Sequence, residues 1–331
     1  MSFVLPLALA AIGGGIATAI SVHDFFEGET LIADLRRARR LSRLDLTELD
    51  RKVAAAPVRS PAIVSLTTIP SRIGHIAMTL KSLMDQSLPP AEIRINVPDH
   101  SRRENCGYEI PAELEGLATV RIVRCEDVGP ATKLFPTLTA VEPDAPIIVV
   151  DDDRIYPPGF IAGLTAAAEE DPDAAPALSG WVVPEDLTDR PTTIRTNLYM
   201  LPPAPIRARR LRQRREIDIL QGFSGYLVRP RFFPQMAAML SHDGAPEAAF
   251  FVDDVWISGH CAAPKYVIPA ARAGFQLWSH RALYRASSLG LINRGEGGDE
   301  GRNNTIVIRH MAECWRVGGP ARRAPQGPQD G

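Results

Sequence analysis

Ile147-Ile148-Val149-Val150-Asp151-Asp152-Asp153-Arg154-Ile155-Tyr156-Pro157-Pro158-Gly159-Phe160 decides the fold. Four β-branched apolar residues in succession describe a strand buried on both faces, as a parallel sheet between helices requires. The run ends abruptly at three acids, which therefore stand at the carboxyl end of a strand, where open α/β sheets bind their ligands. Adjacent carboxylates repel by roughly 1 kcal/mol per pair at about 4 Å even in bulk water. A compensating cation is expected there, and a hard divalent metal bridging to phosphate oxygens is one that carboxylates suit. The plainer alternative is a solvated acidic turn before the helix that Pro157-Pro158-Gly159 introduces.

Working outward, Ala62–Ile69, Glu92–Val97 and Thr119–Val123 are strands, with a helix over Ile73–Gln86 between the first two. This β-α-β order builds a parallel sheet by right-handed crossover. Thr67, Thr68 and Arg72 then lie just past the first strand, on the same sheet edge as the acids. Val128-Gly129-Pro130-Ala131-Thr132-Lys133-Leu134 leads into a helix reaching about Val141. It puts Lys133 in the first turn, where a cation opposes the helix dipole unless an anion is present. Pro158–Glu170 reads as a helix, Ala177–Val183 as a strand, and Ile217–Val228 as strand, Gly-rich turn and strand. Asp253-Asp254 opens a further helix, whose free amides an acid caps; Asp253 is assigned the cap. Tyr266–Pro269 is the last strand, and Pro184–Arg215 is irregular and rich in Pro and Arg.

A strand ending in Asp-x-Asp, within this order of elements from about Pro61 to Ala270, resembles the GT-A-fold glycosyltransferases, the nucleotide-diphospho-sugar transferases. The resemblance implies an α/β, Rossmann-like, mostly parallel central sheet flanked by helices. It implies Mn²⁺ or Mg²⁺ held by Asp153 with help from Asp151, and a UDP- or GDP-sugar donor. Asp152 or Asp151 would contact the ribose, Thr67 and Arg72 the nucleoside side, and Lys133 the diphosphate or uracil side. Asp254 would orient or deprotonate the acceptor hydroxyl, on a glycan or a lipid-linked molecule. The Gly222–Gly225 turn would lie beneath the donor sugar, and His280 or His310 would complete the metal site. Trp256 is either a sugar-stacking face or core. A nucleotidyltransferase or phosphotransferase is the first alternative, although Thr67–Gly74 holds no Gly-rich phosphate loop. A non-catalytic sugar-binding module is the second.

Met1–Val22 contains no charged side chain, and at about 1.5 Å per residue it reaches roughly 33 Å, the thickness of a bilayer core. Residues 1–22 are therefore expected to anchor the chain, with a cleaved signal peptide as rival. Residues 23–56 form an amphipathic stem helix whose arginines, Arg36, Arg37, Arg39, Arg40 and Arg43, place the catalytic part on the cytoplasmic side. The basic face either lies on anionic lipid or is solvated while the helix packs on the catalytic domain. The catalytic domain covers 57–275, a C-terminal segment over the active-site mouth 276–317, and a disordered tail 318–331. The 331 residues, 45% apolar, 23% charged and with net charge −2, suit an ordinary globular enzyme. They argue against a general nucleic-acid binder. Cys106, Cys125, Cys261 and Cys314 are too scattered for a zinc site or a disulfide framework, so reduced, buried thiols are expected.

Overall fold

The computed structural model describes residues 4–286 and 288–320. Its strands are β1 (Ile63–Thr67), β2 (Glu92–Pro98), β3 (Val120–Cys125), β4 (Ile147–Val149), β5 (Ala175–Ala177), β6 (Ser179–Trp181), β7 (Ile206–Arg207), β8 (Arg215–Ile217), β9 (Ile219–Leu220), β10 (Tyr226–Val228) and β11 (Lys265–Val267). Eight of them form one sheet in the order β3-β2-β1-β4-β10-β5-β11-β8. The β3-β2-β1-β4 half is wholly parallel, with Val64 beside both Ile93 and Ile148. β10 runs antiparallel between β4 and β5, and β8 is an antiparallel edge on β11. The expected mostly parallel sheet flanked by helices is therefore present.

The sequence explains its centre. Ile147, Ile148 and Val149 are completely buried, as are Val64, Leu66, Ile93 and Ile95 in the strands alongside. Helix Phe160–Glu170 covers one face, burying Phe160, Ile161, Leu164, Thr165 and Ala168, a stripe with helical spacing. The chain passes from β1 outward to β2 and β3 and returns on the other side of β1 as β4. The strand order thus reverses between β1 and β4, and the crevice past their carboxyl ends is bounded by Thr67-Thr68 and by Asp151–Asp153.

Three expected elements differ. Ala177–Val183 is not one strand: β5 belongs to the large sheet and β6 to a three-stranded sheet ordered β7-β6-β9. Leu178 is the crossing point, its N–H donating to Gly225 O at 3.1 Å and its carbonyl accepting from Ala208 N at 3.0 Å. The 128–141 helix is a 3₁₀ turn, Gly129–Lys133, followed by one α-turn, Phe135–Leu138, because Gly129 at φ +70° and Pro136 interrupt a regular α-helix. Within Pro184–Arg215 there is a short helix, Ile194–Tyr199, as well as β7.

The N-terminal extension also departs from expectation. Its first helix is Val4–Glu27, and among the described residues no helix is long and apolar enough to cross a membrane. Gly13-Gly14-Gly15 and the many alanines supply length with little transfer energy. The single stem helix is two helices, Leu31–Leu41 and Leu46–Ala54, the second capped by Asp45 accepting from Glu48 N at 2.8 Å. Arg37, one of the basic residues, is buried against the domain: it donates to Tyr156 O at 2.9 Å and Asp85 Oδ2 at 2.6 Å. At the other end, Gly318, expected in the tail, docks on Asp218 Oδ2 at 2.8 Å; residues 321–331 of that tail lie outside the described residues. All four cysteines are free, but only Cys261 is fully buried and Cys106 is exposed.

Candidate functional site

The three acids diverge, each to a different partner. Asp152 turns inward, where Thr68 Oγ1 donates to Oδ2 at 2.6 Å and Arg72 Nη1 to Oδ1 at 3.2 Å. Burial, opposed by Arg72, pushes its carboxyl up to about 6. Asp153 accepts from Gln276 Nε2 at 2.9 Å, with Arg154 Nε 3.6 Å from its other oxygen. Burial raises its pKa as well. Gln276 reaches it because Ile155 and Phe275 bridge as an antiparallel pair, with N–H···O distances of 2.8 and 3.1 Å. Asp151, the most open of the three, pairs with Lys133 Nζ at 2.9 Å.

Lys133 is the centre of the site. Its ammonium is buried and lies 2.9 Å from Asp151, 2.7 Å from Asp253 and 3.4 Å from Asp254. Burial alone would lower its pKa, but the three carboxylates outweigh it and hold the group well above the usual lysine value. In this structure Lys133 thus pairs with carboxylates. One expectation is corrected: Asp253 makes no capping contact on the helix Asp253–His260 that it begins. Asp254 also accepts from Gly222 N at 3.1 Å, and burial, with Lys133 opposing and Asp253 and Asp151 assisting, pushes its carboxyl up to about 7.

The Gly-rich turn makes room for this cluster. The register Tyr226 opposite Val149 sets Gly222–Ser224 beside Asp151. A Cβ at Gly222 would stand 2.2 Å from Lys133 Nζ, and one at Gly225, where φ is +85°, 2.4 Å from Phe160 Cζ. The turn expected beneath a sugar is, in this structure, the close-approach surface for a lysine and a ring.

These groups face a cavity of about 530 Å³. Thr67, Arg72, Lys133, Asp151, Asp153 and Asp254 all line it, so the structure brings together side chains from positions 67 to 254. The Thr67 hydroxyl donates to Asn96 O at 2.7 Å, which leaves its oxygen only as an acceptor. The C-terminal segment adds Tyr284, Leu289 and Asn293 to the wall, and Arg72 stacks on Tyr284 at 5.0 Å. The histidines are elsewhere. His280 packs on His75, with ring centroids 5.3 Å apart, and His310 on Trp256 at 6.2 Å. Trp256 itself is core, buried and donating to Met239 O at 2.9 Å.

Among the described residues no group of three or more His, Cys, Asp or Glu is placed to hold a metal. The donor chemistry still suits a hard cation: Asp151 and Asp153 are carboxylates on one cavity wall, and Mg²⁺ is commonly held by one or two carboxylates plus substrate phosphates. Asp152 does not belong to that set, because both of its oxygens are occupied by Thr68 and Arg72. Sequence reasoning assigned no role to Arg154, although it directly follows the three acids, nor to Gln276, which comes from 123 residues beyond Asp153.

No family model matches the chain, and no curated protein does. Solved structures similar to it include 2-C-methyl-D-erythritol 4-phosphate cytidylyltransferase from Francisella tularensis, at 13% identity over 68% of this chain and 97% of that one, TM-score 0.38. S. aureus TarS 1-349 in complex with UDP is similar at 14% identity over 77% of this chain and 69% of that one, TM-score 0.41. None of these likenesses assigns the chain a family or an activity.

Proposed function

We propose that the cavity is the active site of a metal-dependent glycosyltransferase, which moves a sugar from a nucleoside-diphosphate sugar to an acceptor hydroxyl. One observation supports it above the others: Asp151, from the end of the central strand, and Asp254, from the helix Asp253–His260, share a single buried ammonium beside a cavity of about 530 Å³. In this reading Asp151 is a cation-binding carboxylate and Asp254 a candidate base at one reacting centre. Asp151 and Asp153 would hold Mn²⁺ or Mg²⁺, which when bound neutralises the departing diphosphate as a Lewis acid. Asp152, fixed by Thr68 and Arg72, positions the turn that carries them. Arg72 faces the nucleoside side, and Asp254 accepts the proton of the attacking hydroxyl. With Asp254 as base, displacement is in line and the anomeric carbon inverts.

Isothermal titration with UDP- and GDP-sugars, with and without Mn²⁺, followed by a donor-hydrolysis assay, tests this. The expected result is metal-dependent binding and turnover, both lost in Asp153→Asn. Binding indifferent to metal, or full activity in that variant, would overturn the metal assignment. Metal-dependent binding with no turnover on any donor would point to a binding module.

Membrane association belongs to the same proposal, as docking on the cytoplasmic surface of an anionic bilayer. Ile12, Ile16 and Val22 on the first helix and Ile32 and Leu35 on the second are exposed, beside the exposed Arg36, Arg39 and Arg43. Apolar side chains flanked by arginines are the composition of a helix lying in the interface. The protein is expected to sediment with phosphatidylcholine vesicles containing phosphatidylglycerol, and to be released by salt. Equal binding to pure phosphatidylcholine would refute the electrostatic part.

A further inference from the structure

Beside the main cavity lies a smaller one of about 110 Å³, and Arg154 and Phe223 line both. Its remaining charged walls come from the N-terminal extension, as Glu27 and Glu29, and from β7, as Arg207. The turn that presents Glu29 depends on Gly28 at φ +72°, where a Cβ would stand 2.8 Å from Arg207 Cδ. Glycine there both turns the chain and leaves the space that Arg207 fills.

The charged groups around this cavity are gathered but not bonded to one another. The Glu29 carboxylate is only 10% exposed, yet Arg281 stands 3.8 Å away and Arg154 and His23 3.9 Å away, each beyond hydrogen-bond distance. Arg154 Nε is buried with no hydrogen-bond partner. Its guanidinium lies 4.9 Å over the Phe223 ring. Among the described residues Arg207 makes no side-chain hydrogen bond; Glu27 and Glu29 act on it through space. A nearly buried Glu29 carboxylate and a buried Arg154 Nε left open in this way ask for a partner that both donates and accepts.

We propose that this side cavity is the acceptor subsite, and that it takes the hydroxyl-bearing end of a polyhydroxylated acceptor, a sugar or polyol. An alcohol donates to Glu29 and accepts from Arg154 and Arg207 in the same site. An anion would meet Glu27 and Glu29, a cation would meet the arginines, and an apolar group would leave Glu29 and Arg154 without a partner. Phe223 offers a ring face for a pyranose. The position fits the chemistry: Arg154 reaches Asp153 on one side, and Phe223 follows Gly222, whose N–H holds Asp254. Arg154 and Phe223 thus join the side cavity to the one that Asp153 and Asp254 line. The assignment rests on the glycosyltransferase reading above, and it gives the N-terminal helices a second task, completing the acceptor site.

The test uses the full chain with UDP and Mn²⁺ present, and methyl β-D-glucopyranoside, methyl β-D-galactopyranoside and methyl N-acetyl-β-D-glucosaminide as probes, followed by saturation-transfer NMR and titration. Glu29→Gln and Arg207→Met are expected each to weaken glycoside binding by about tenfold or more. Any accompanying change in UDP affinity should be much smaller, which also shows that the variants are folded. Glycoside affinity unaltered in both variants, or falling only in step with UDP affinity, overturns the subsite. UDP binding without binding of any glycoside by the unchanged protein overturns the subsite alone. Failure of the unchanged protein to bind UDP or GDP removes the donor reading and the subsite with it.

Discussion

Asp254→Asn is expected to lower kcat by about 10²–10⁴-fold, the usual contribution of a positioned general base. Three observations support the proposed role: the residue lines the cavity, Gly222 N–H fixes its orientation, and burial brings its carboxyl up to about 7. A base with that value is ionised half the time near neutrality and takes a proton more readily than an ordinary aspartate. The pH profile follows with a definite sign. Only the carboxylate accepts the acceptor's proton, so kcat/KM should rise with pH up to about 7 and then level, and the asparagine variant should lose that limb. Stability runs the other way. The folded pKa lies above the unfolded one, so this group favours the folded state below the unfolded carboxylate range, and that contribution is lost as pH rises through about 7. A variant with near-normal kcat and an unchanged acidic limb would show that Asp254 is structural.

The centre of the fold could be read from the chain because its information is local. Ile147–Val150 has no polar face, so it had to be an interior strand, and the acids after it had to lie at a sheet edge. β1 and β2 are marked instead by apolar residues at alternate positions, Val64 and Leu66 in one and Ile93, Ile95 and Val97 in the other. What stayed hidden is non-local. Ala175–Trp181 is continuous in sequence with no turn residue pair between its halves, and the hydrogen bonds of Leu178 to Gly225 and Ala208 show that it serves two sheets. The site divides in the same way. Residue types at Asp151, Asp152, Asp153 and Asp254 announced charge chemistry, and the cavity contains all four. Thr68, Arg72 and Lys133 were marked out as neighbours of the acids, but which pairs form was not, because Thr68 is 84 residues from Asp152 and Lys133 is 121 from Asp254. The three acids were expected to need an external cation; the structure supplies Arg72, Lys133 and Arg154 beside them, so the need is partly met within the chain. The two histidines fail for a related reason. A histidine carries no local mark of its role, and both were taken up by aromatic packing.

Lys133→Met should destabilise the fold by about 3–5 kcal/mol near pH 8, the cost of breaking a buried ionic cluster by removing one partner. Methionine keeps the unbranched length and most of the volume, so the change isolates the charge from the packing. In the native protein one ammonium answers three carboxylates, with Gly222 leaving it the room to do so. Without it, Asp151, Asp253 and Asp254 face one another with no counter-charge, and the repulsion among them is relieved only by protonation. The deficit should therefore shrink as pH falls and protons take the place of the ammonium. Urea unfolding at pH 8 and pH 5.5 reads both effects. A loss below about 1 kcal/mol at pH 8 would mean that the carboxylates are satisfied without Lys133. In that case the cluster would be a set of independent surface acids rather than one linked unit, and the shared ammonium would no longer tie the end of β4 to the wall that carries Asp254.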